Sequence, residues 1–329
     1  MVAYVVRRIL MIIPTLLIVS ILCFILIQLP PGDYLESQIM NMAQSGQEVD
    51  EATIAALKLR YGLDRPMYEQ YLRWAGNILL HGDFGRSFEW NKPVSELIWE
   101  RLLWTFTISF GSLLFTWAVA FPIGVYSATH QYSLVDYVAT FLGFLGRATP
   151  DFLLALVLMW AGYTFFGANM GGLFSAEYER APWSLAKFAD LLGHLWVPLV
   201  VLGTGGTAGL IRTLRANLLD ELRKPYVLAA RAKGLSETWL IWKYPVRIAI
   251  NPFISSVGGV LPSLISGSSI VSVVLSLPTT GPVMLRALLS QDMYLAGSFL
   301  MMLTVLALLG TLLSDMLLAV LDPRIRQTV

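Results

Sequence analysis

The stretch KPYVLAARAKGLSETW, residues 224–239, is a short, basic, alanine-lined island in a chain that is otherwise mostly apolar. Pro225 suits the first position of a helix, where its missing N–H costs nothing. Gly234 suits the residue just past the end, where a left-handed conformation is wanted. Between them the spacing predicts a helix of about two and a half turns. Ala229, Ala230 and Ala232 leave its flank nearly bare, while Arg231 and Lys233 project charge. A helix this short is not stable alone in water, so something must pack against it. Two readings fit. In one, a basic loop lies on anionic lipid headgroups. In the other, a peg enters a groove on a partner, its alanines allowing close approach and its cations pairing with acidic groups at the rim.

Around this island lie 329 residues, 56% of them hydrophobic and 14% charged, with a mean hydropathy of +0.64. That composition belongs in a membrane. The net charge of +1 supplies no global field to recruit nucleic acid. Cys23 is the only cysteine, and His81, His130 and His194 are far apart, so neither a disulfide framework nor a metal site is expected. The sequence holds no Gly-Lys pair, and therefore no P-loop. It also offers no Ser-His-Asp set or paired carboxylates, so no catalytic or cofactor-binding residues are assigned.

Spanning a bilayer as a helix takes about 20 mostly apolar residues. Six stretches qualify: 9–29, 102–128, 137–166, 191–211, 252–275 and 295–321. The expected fold class is all-α, a polytopic membrane protein of six transmembrane helices. The first stretch is longer than a signal-peptide apolar region and lacks a clear cleavage site, so it reads as a retained anchor. Arg7 and Arg8 precede it, and Arg324 and Arg326 follow the sixth span. The connection between spans four and five carries Arg212, Arg215, Arg223, Lys224, Arg231, Lys233, Lys243 and Arg247 against Asp220, Glu221 and Glu237. Basic loops stay inside, so both termini and this loop are expected in the cytoplasm.

Residues 30–101 then form an external segment. Within it EATIAALKLRYG, residues 51–62, has helical periodicity, while GDFGRSF and NKPV supply turns, which predicts a small helical cap. The expected organisation is an anchor helix (1–29), an external helical cap (30–101) and a transmembrane core (102–329) with its cytoplasmic loop at about 212–250. In the third span Arg147 and Asp151 fall four residues apart on one helical face, either lining a path or bracing the span near Pro150. Span five carries a serine stripe that includes Ser266 and Ser269, which serves helix packing or a wetted path equally well. GTGGTA, residues 203–208, mimics a dinucleotide fingerprint but lies within an apolar helix. It reads as close packing through Gly205 and Gly209.

The run Tyr226-Val227, Ala229-Ala230-Arg231-Ala232-Lys233-Gly234-Leu235-Ser236 resembles the EAA loop of binding-protein-dependent ABC importer permeases, in its dipeptide/oligopeptide/nickel version. Other motifs agree in order. Gly62-Leu63-Asp64, Pro66, Gln70-Tyr71, Gly82-Asp83, Gly85, Ser87 and Pro93-Val94 are similar to the family's external signature, and Leu321-Asp322-Pro323-Arg324 to its closing LDPR. The likeness implies a type I ABC importer permease in the bacterial inner membrane, paired with a second permease, two cytoplasmic ATPases that hold ATP and Mg, and an external solute-binding protein. It further implies that Tyr226, Ala229, Ala230, Arg231, Ala232, Lys233, Gly234 and Leu235 couple the chain to an ATPase. Arg147, Asp151, Ser266 and Ser269 are the candidates for the path. LPTTG at 277–281 departs from the family's Pro-Gly-Leu-Gly turn, so an oligosaccharide stands beside a peptide as the expected solute. An ion-coupled secondary transporter is the rival class, but it calls for internal repeats and several intramembrane carboxylates, of which only Asp151 and Asp315 are found.

Overall fold

The computed structural model describes residues 2–28, 65–167, 170–254 and 269–321. Their regular structure is helical: α1 (Val2–Gln28), α2 (Met67–His81), α3 (Val94–Thr129), α4 (Leu134–Ala148), α5 (Asp151–Phe166), α6 (Leu185–Leu222), α7 (Pro225–Ala232), α8 (Glu237–Lys243), α9 (Pro245–Ala249), α10 (Ser269–Val274), α11 (Thr280–Leu289) and α12 (Met293–Leu321). Beside them stands one isolated bridge between Arg86 and Pro93. Of the expected spans, α3, α6 and α12 are long and apolar enough to cross a bilayer, and α4 with α5 adds a fourth candidate. α1 carries the apolar run Leu10–Leu26. Most of the expected fifth span, and the periodic segment 51–62, lie outside the described residues.

The third expected span is not one helix. α4 and α5 meet at 102°. The cause is Thr149-Pro150: the proline ring disfavours a helical residue before it, and Thr149 is extended at φ −85° and ψ 123°. Arg147 therefore closes α4 while Asp151 opens α5, and the expected shared face does not exist. An acidic residue in the first turn of α5 complements the helix dipole.

Two compact units divide the chain, one built on 104–278 with 309 onward, the other on 2–103 with 279–308. In the first, α6 is the central post. Gly203 accepts the Phe115 ring and Thr116 of α3: a Cβ there would come 2.5 Å from Phe115 Cδ1. Gly146 and Gly143 of α4 lie against Thr204 and Ala208 of α6. The same two helices are joined at Asp136, whose carboxylate accepts two hydrogen bonds from Arg215, Nε to Oδ1 and Nη2 to Oδ2, each 2.9 Å. The close packing expected for the glycine run is found at Gly203, while Gly205 and Gly206 make ordinary contacts with Asp151 and Thr116, and among the described residues nothing lies within 4 Å of the Cβ position of Gly209.

In the second unit, α2 packs on α1 through Phe24, Tyr71 and Trp74, with Ser20 Oγ 2.8 Å from Tyr71 Oη. The expected turns are present. Gly82 ends α2 in a left-handed conformation, and the 85–94 turn closes with Val94 N donating to Gly85 O. The fully buried Asp292 carboxylate fastens this turn, accepting from Ser87 Oγ (2.5 Å), Phe88 N (2.8 Å) and Glu89 N (3.3 Å) at one oxygen and Leu295 N (3.2 Å) at the other. Burial pushes its carboxyl above the usual value, against the pull of these donors.

Gly203→Leu should lower the melting temperature of the purified protein, at a cost of about 1–3 kcal/mol for overpacking. Gly209→Ala should leave it unchanged or raise it, by up to about 1 kcal/mol. Equal losses in both variants would mean that α6 does not owe its seating to the Gly203 contact.

Candidate functional site

The loop after α6 folds as three short helices in series. Pro225 is the first residue of α7, and Gly234 takes φ +77° just past its end, as the sequence requires. Eight residues cannot hold a helix alone, and α7 is held within the chain. Val227 and Ala230 are buried with Leu240 of α8, and Tyr226, Leu235, Ile241 and Tyr244 pack around them. The expectation that all three alanines form a bare flank is therefore corrected. Ala230 belongs to an internal core, because positions 227 and 230 share one side of the helix. Ala229, Ala232 and Leu228 are exposed on the other side.

The α6–α7 junction is fixed by one carboxylate. Glu221, 8% exposed, accepts a 2.5 Å hydrogen bond from Tyr226 Oη and a 2.7 Å bond from Lys224 Nζ. Burial, and then the Glu221 carboxylate, push the Tyr226 phenol far above its ordinary value, so it stays a donor at any physiological pH. Arg231 folds onto Glu237 at the start of α8 through two hydrogen bonds and holds that carboxyl below its usual range. The cation expected to reach a partner's rim thus already has a partner, whereas Lys233 is exposed beside it.

From α7 the packing continues inward. Ile241 of α8 touches both the α7 core and a second cluster in which Val246 and Ala249 of α9, with Phe253, meet Ile211, Leu214 and Leu218 of α6 and Ala120 and Val125 of α3. The exposed helix is therefore mounted on two spanning helices through apolar contacts.

The path candidates are dispersed. Arg147 is exposed at the end of α4. Asp151 is half-buried in the first turn of α5, where a Cβ on Gly205 would stand 3.6 Å from its Oδ1. Ser269 is half-buried at the first residue of α10, next to Val271, which packs with Ala155 of α5. Ser266 lies outside the described residues. Sequence reading missed the Asp136–Arg215 and Asp292–Ser87 pairs, since residues so far apart in sequence leave no local pattern. Among the described residues no three metal-ligating side chains converge.

Several apolar helices long enough to cross a bilayer, with a small exposed helix mounted on two of them, give the chain the build of a multi-pass membrane protein. Residues 120–327 match the family described as "Binding-protein-dependent transport system inner membrane component", and residues 1–109 match the N-terminal part of the same membrane components. The "Oligopeptide transport system permease protein AppB" of Bacillus subtilis is 35% identical over 326 residues, covering 99% of both chains. The "Glutathione transport system permease protein GsiC" of Salmonella paratyphi A is 31% identical, again over 99% of each. The "Inner membrane ABC transporter permease protein YejB" of Escherichia coli O157:H7 is 30% identical over 98% of each. The chain belongs to the binding-protein-dependent transport system inner membrane component family, as an ABC importer permease subunit and a multi-pass protein of the bacterial inner membrane.

Tyr226→Phe should speed amide exchange in α7 roughly five-fold, as removal of one hydrogen bond to a partly solvated carboxylate loosens the junction by about 1 kcal/mol. Exchange at the wild-type rate would show that Glu221 does not hold α7.

Proposed function

We propose that this chain forms half of the translocation path of an ATP-driven importer of peptides, with a second homologous permease forming the other half. A soluble binding protein delivers solute at the outer face. Two cytoplasmic ATPases bind ATP and Mg, and this chain itself holds no cofactor and catalyses no reaction. Six spans, cytoplasmic termini and a periplasmic cap formed by residues 30–101 complete the reading. The observation that carries it is the mounting of α7: Val227 and Ala230 lock it to α8, and α9 ties α8 to α3 and α6, while Leu228, Ala229 and Ala232 remain open. A helix with one side fixed to the spans and the other free passes a push from a docked ATPase to the path. Among the proposed coupling residues, Ala229, Ala232 and Lys233 meet the ATPase. Tyr226, Ala230, Arg231, Gly234 and Leu235 shape the helix that does so.

Peptide as the solute is favoured by the names of the relatives, which are oligopeptide, peptide and glutathione permeases. Arg147 and Asp151, now on separate helices at the α4–α5 bend, are the charged candidates facing the path, with Ser266 and Ser269 as hydroxyl contacts.

The test is uptake into proteoliposomes holding the assembled transporter and its binding protein. ATP-dependent accumulation of short peptides is expected. Uptake of an oligosaccharide with none of peptides would overturn the solute, and uptake by this chain alone without ATPases would overturn the class. Ala229→Trp, on the open side, should reduce uptake about ten-fold or more while insertion and melting temperature stay unchanged, a loss matching ~1.4 kcal/mol of docking. Full uptake by that variant sinks the assignment of α7 as the docking helix.

A further inference from the structure

Where α7, α8 and α9 meet lies a solvent-open cavity of about 300 Å³, lined by Tyr226, Lys243, Tyr244, Arg247 and Ile248. Among the described residues no carboxylate pairs with either cation, although Lys224 and Arg231 nearby are both paired. Glu221, which binds the Tyr226 wall, is already held by that phenol and by Lys224. The Lys243 ammonium is instead held by aromatic faces, 3.9 Å from the Trp239 ring centroid and 5.6 Å from that of Tyr244. A cavity with two uncompensated cations and phenolic walls is a receptor for an anion that accepts several hydrogen bonds, such as a phosphate.

Its depth identifies the source of that phosphate. Trp242, from the same turn as Lys243, has its ring 5.7 Å from Phe121 of α3. Phe121 stands inside the apolar run that ends at Ala128, about 10 Å short of that end at 1.5 Å per residue. Ile248 on the cavity wall, Trp239 against Lys243 and Trp242 next to Lys243 in sequence are each about half exposed (45%, 46% and 51%). Tryptophan and cations at the end of a spanning helix are the composition of the membrane interface. A soluble phosphate would leave these apolar surfaces bare, whereas a lipid covers them with its glycerol and acyl chains while its phosphate reaches Lys243 and Arg247.

We propose that this cavity is a binding site for the headgroup phosphate of an anionic phospholipid, with Lys243 and Arg247 as its ligands and Trp242 and Ile248 against the chains. It rests on membrane depth and charge, not on which solute is carried. The test uses the full-length chain in detergent with equal phosphatidylglycerol and phosphatidylcholine, bound lipid being read by native mass spectrometry. Wild type should retain phosphatidylglycerol selectively. Lys243→Gln with Arg247→Gln should lose it about ten-fold or more, the effect of two headgroup-directed cations, while Lys233→Gln on the α7 side retains it. Arg247→Gln alone, at an exposed side chain, should lose it several-fold even if the double variant misfolds. Retention unchanged in the double variant and in Arg247→Gln overturns the site. So does an equal loss in Lys233→Gln, which would mean that only total charge counts. Displacement by millimolar inorganic phosphate as effective as by lipid would assign a soluble anion instead. Undiminished lipid with loss of co-purified ATPase would assign a protein contact.

Discussion

Apolar helices gain little by leaving lipid for one another, so they hold together only where backbones come close or polar groups meet. In this permease α6 supplies both conditions. Over Gly203 to Ala208 it turns small residues toward three neighbours: Gly203 and Gly206 toward α3, Thr204 and Ala208 toward α4, and Gly205 toward Asp151 of α5. A side chain at Gly203 would displace an aromatic ring, and one at Gly205 would stand in contact with a carboxylate. Three helices seated within two turns of a fourth leave little room for any of them to shift independently.

The lower part of α6 uses the second condition. Past Ile211 the helix meets α4 through Asp136 and Arg215, where a planar guanidinium with two parallel hydrogen bonds fixes orientation as well as distance. One turn further, Leu218 packs with α9 and Glu221 secures α7. The order along α6 is therefore small-residue packing, then an apolar mount over 211–218 with the ion pair at Arg215 within it, then a hydrogen-bonded clasp. In the proposed coupling role, a push on α7 enters at the clasp and reaches the glycine segment through contacts that are each specific in geometry. A single disordered loop at the same position would absorb it.

What the sequence made legible was whatever repeats locally. Hydropathy windows located α3, α6 and α12, and proline and glycine marked the start and end of α7, because these signals are carried by adjacent residues. The break at Thr149-Pro150 was written in the sequence too. A window long enough to find a span averages over it, and reading Arg147 with Asp151 as one face followed from that averaging. Ala230 was misplaced for a related reason. Three alanines in four residues look alike, and only the position of Leu240, on a helix not yet placed, tells which of them faces inward. Asp292 with Ser87 and Asp136 with Arg215 had no signal at all, since each is a contact between elements distant in sequence, chosen by the fold.

The two readings of the basic loop, headgroup binder and peg, compete only while the segment is treated as a line. Once folded, it has two sides. On α7 the charge of Arg231 is returned to Glu237, leaving a face of Leu228, Ala229 and Ala232 with Lys233 as the exposed cation beside it. On α8 and α9, Lys243 and Arg247 stay uncompensated next to Trp242, where a cation is cheap because the headgroup region is wet and often anionic. In the proposed roles, one segment of fewer than thirty residues is held at the membrane surface through α8 and α9 while α7 takes the push of a partner.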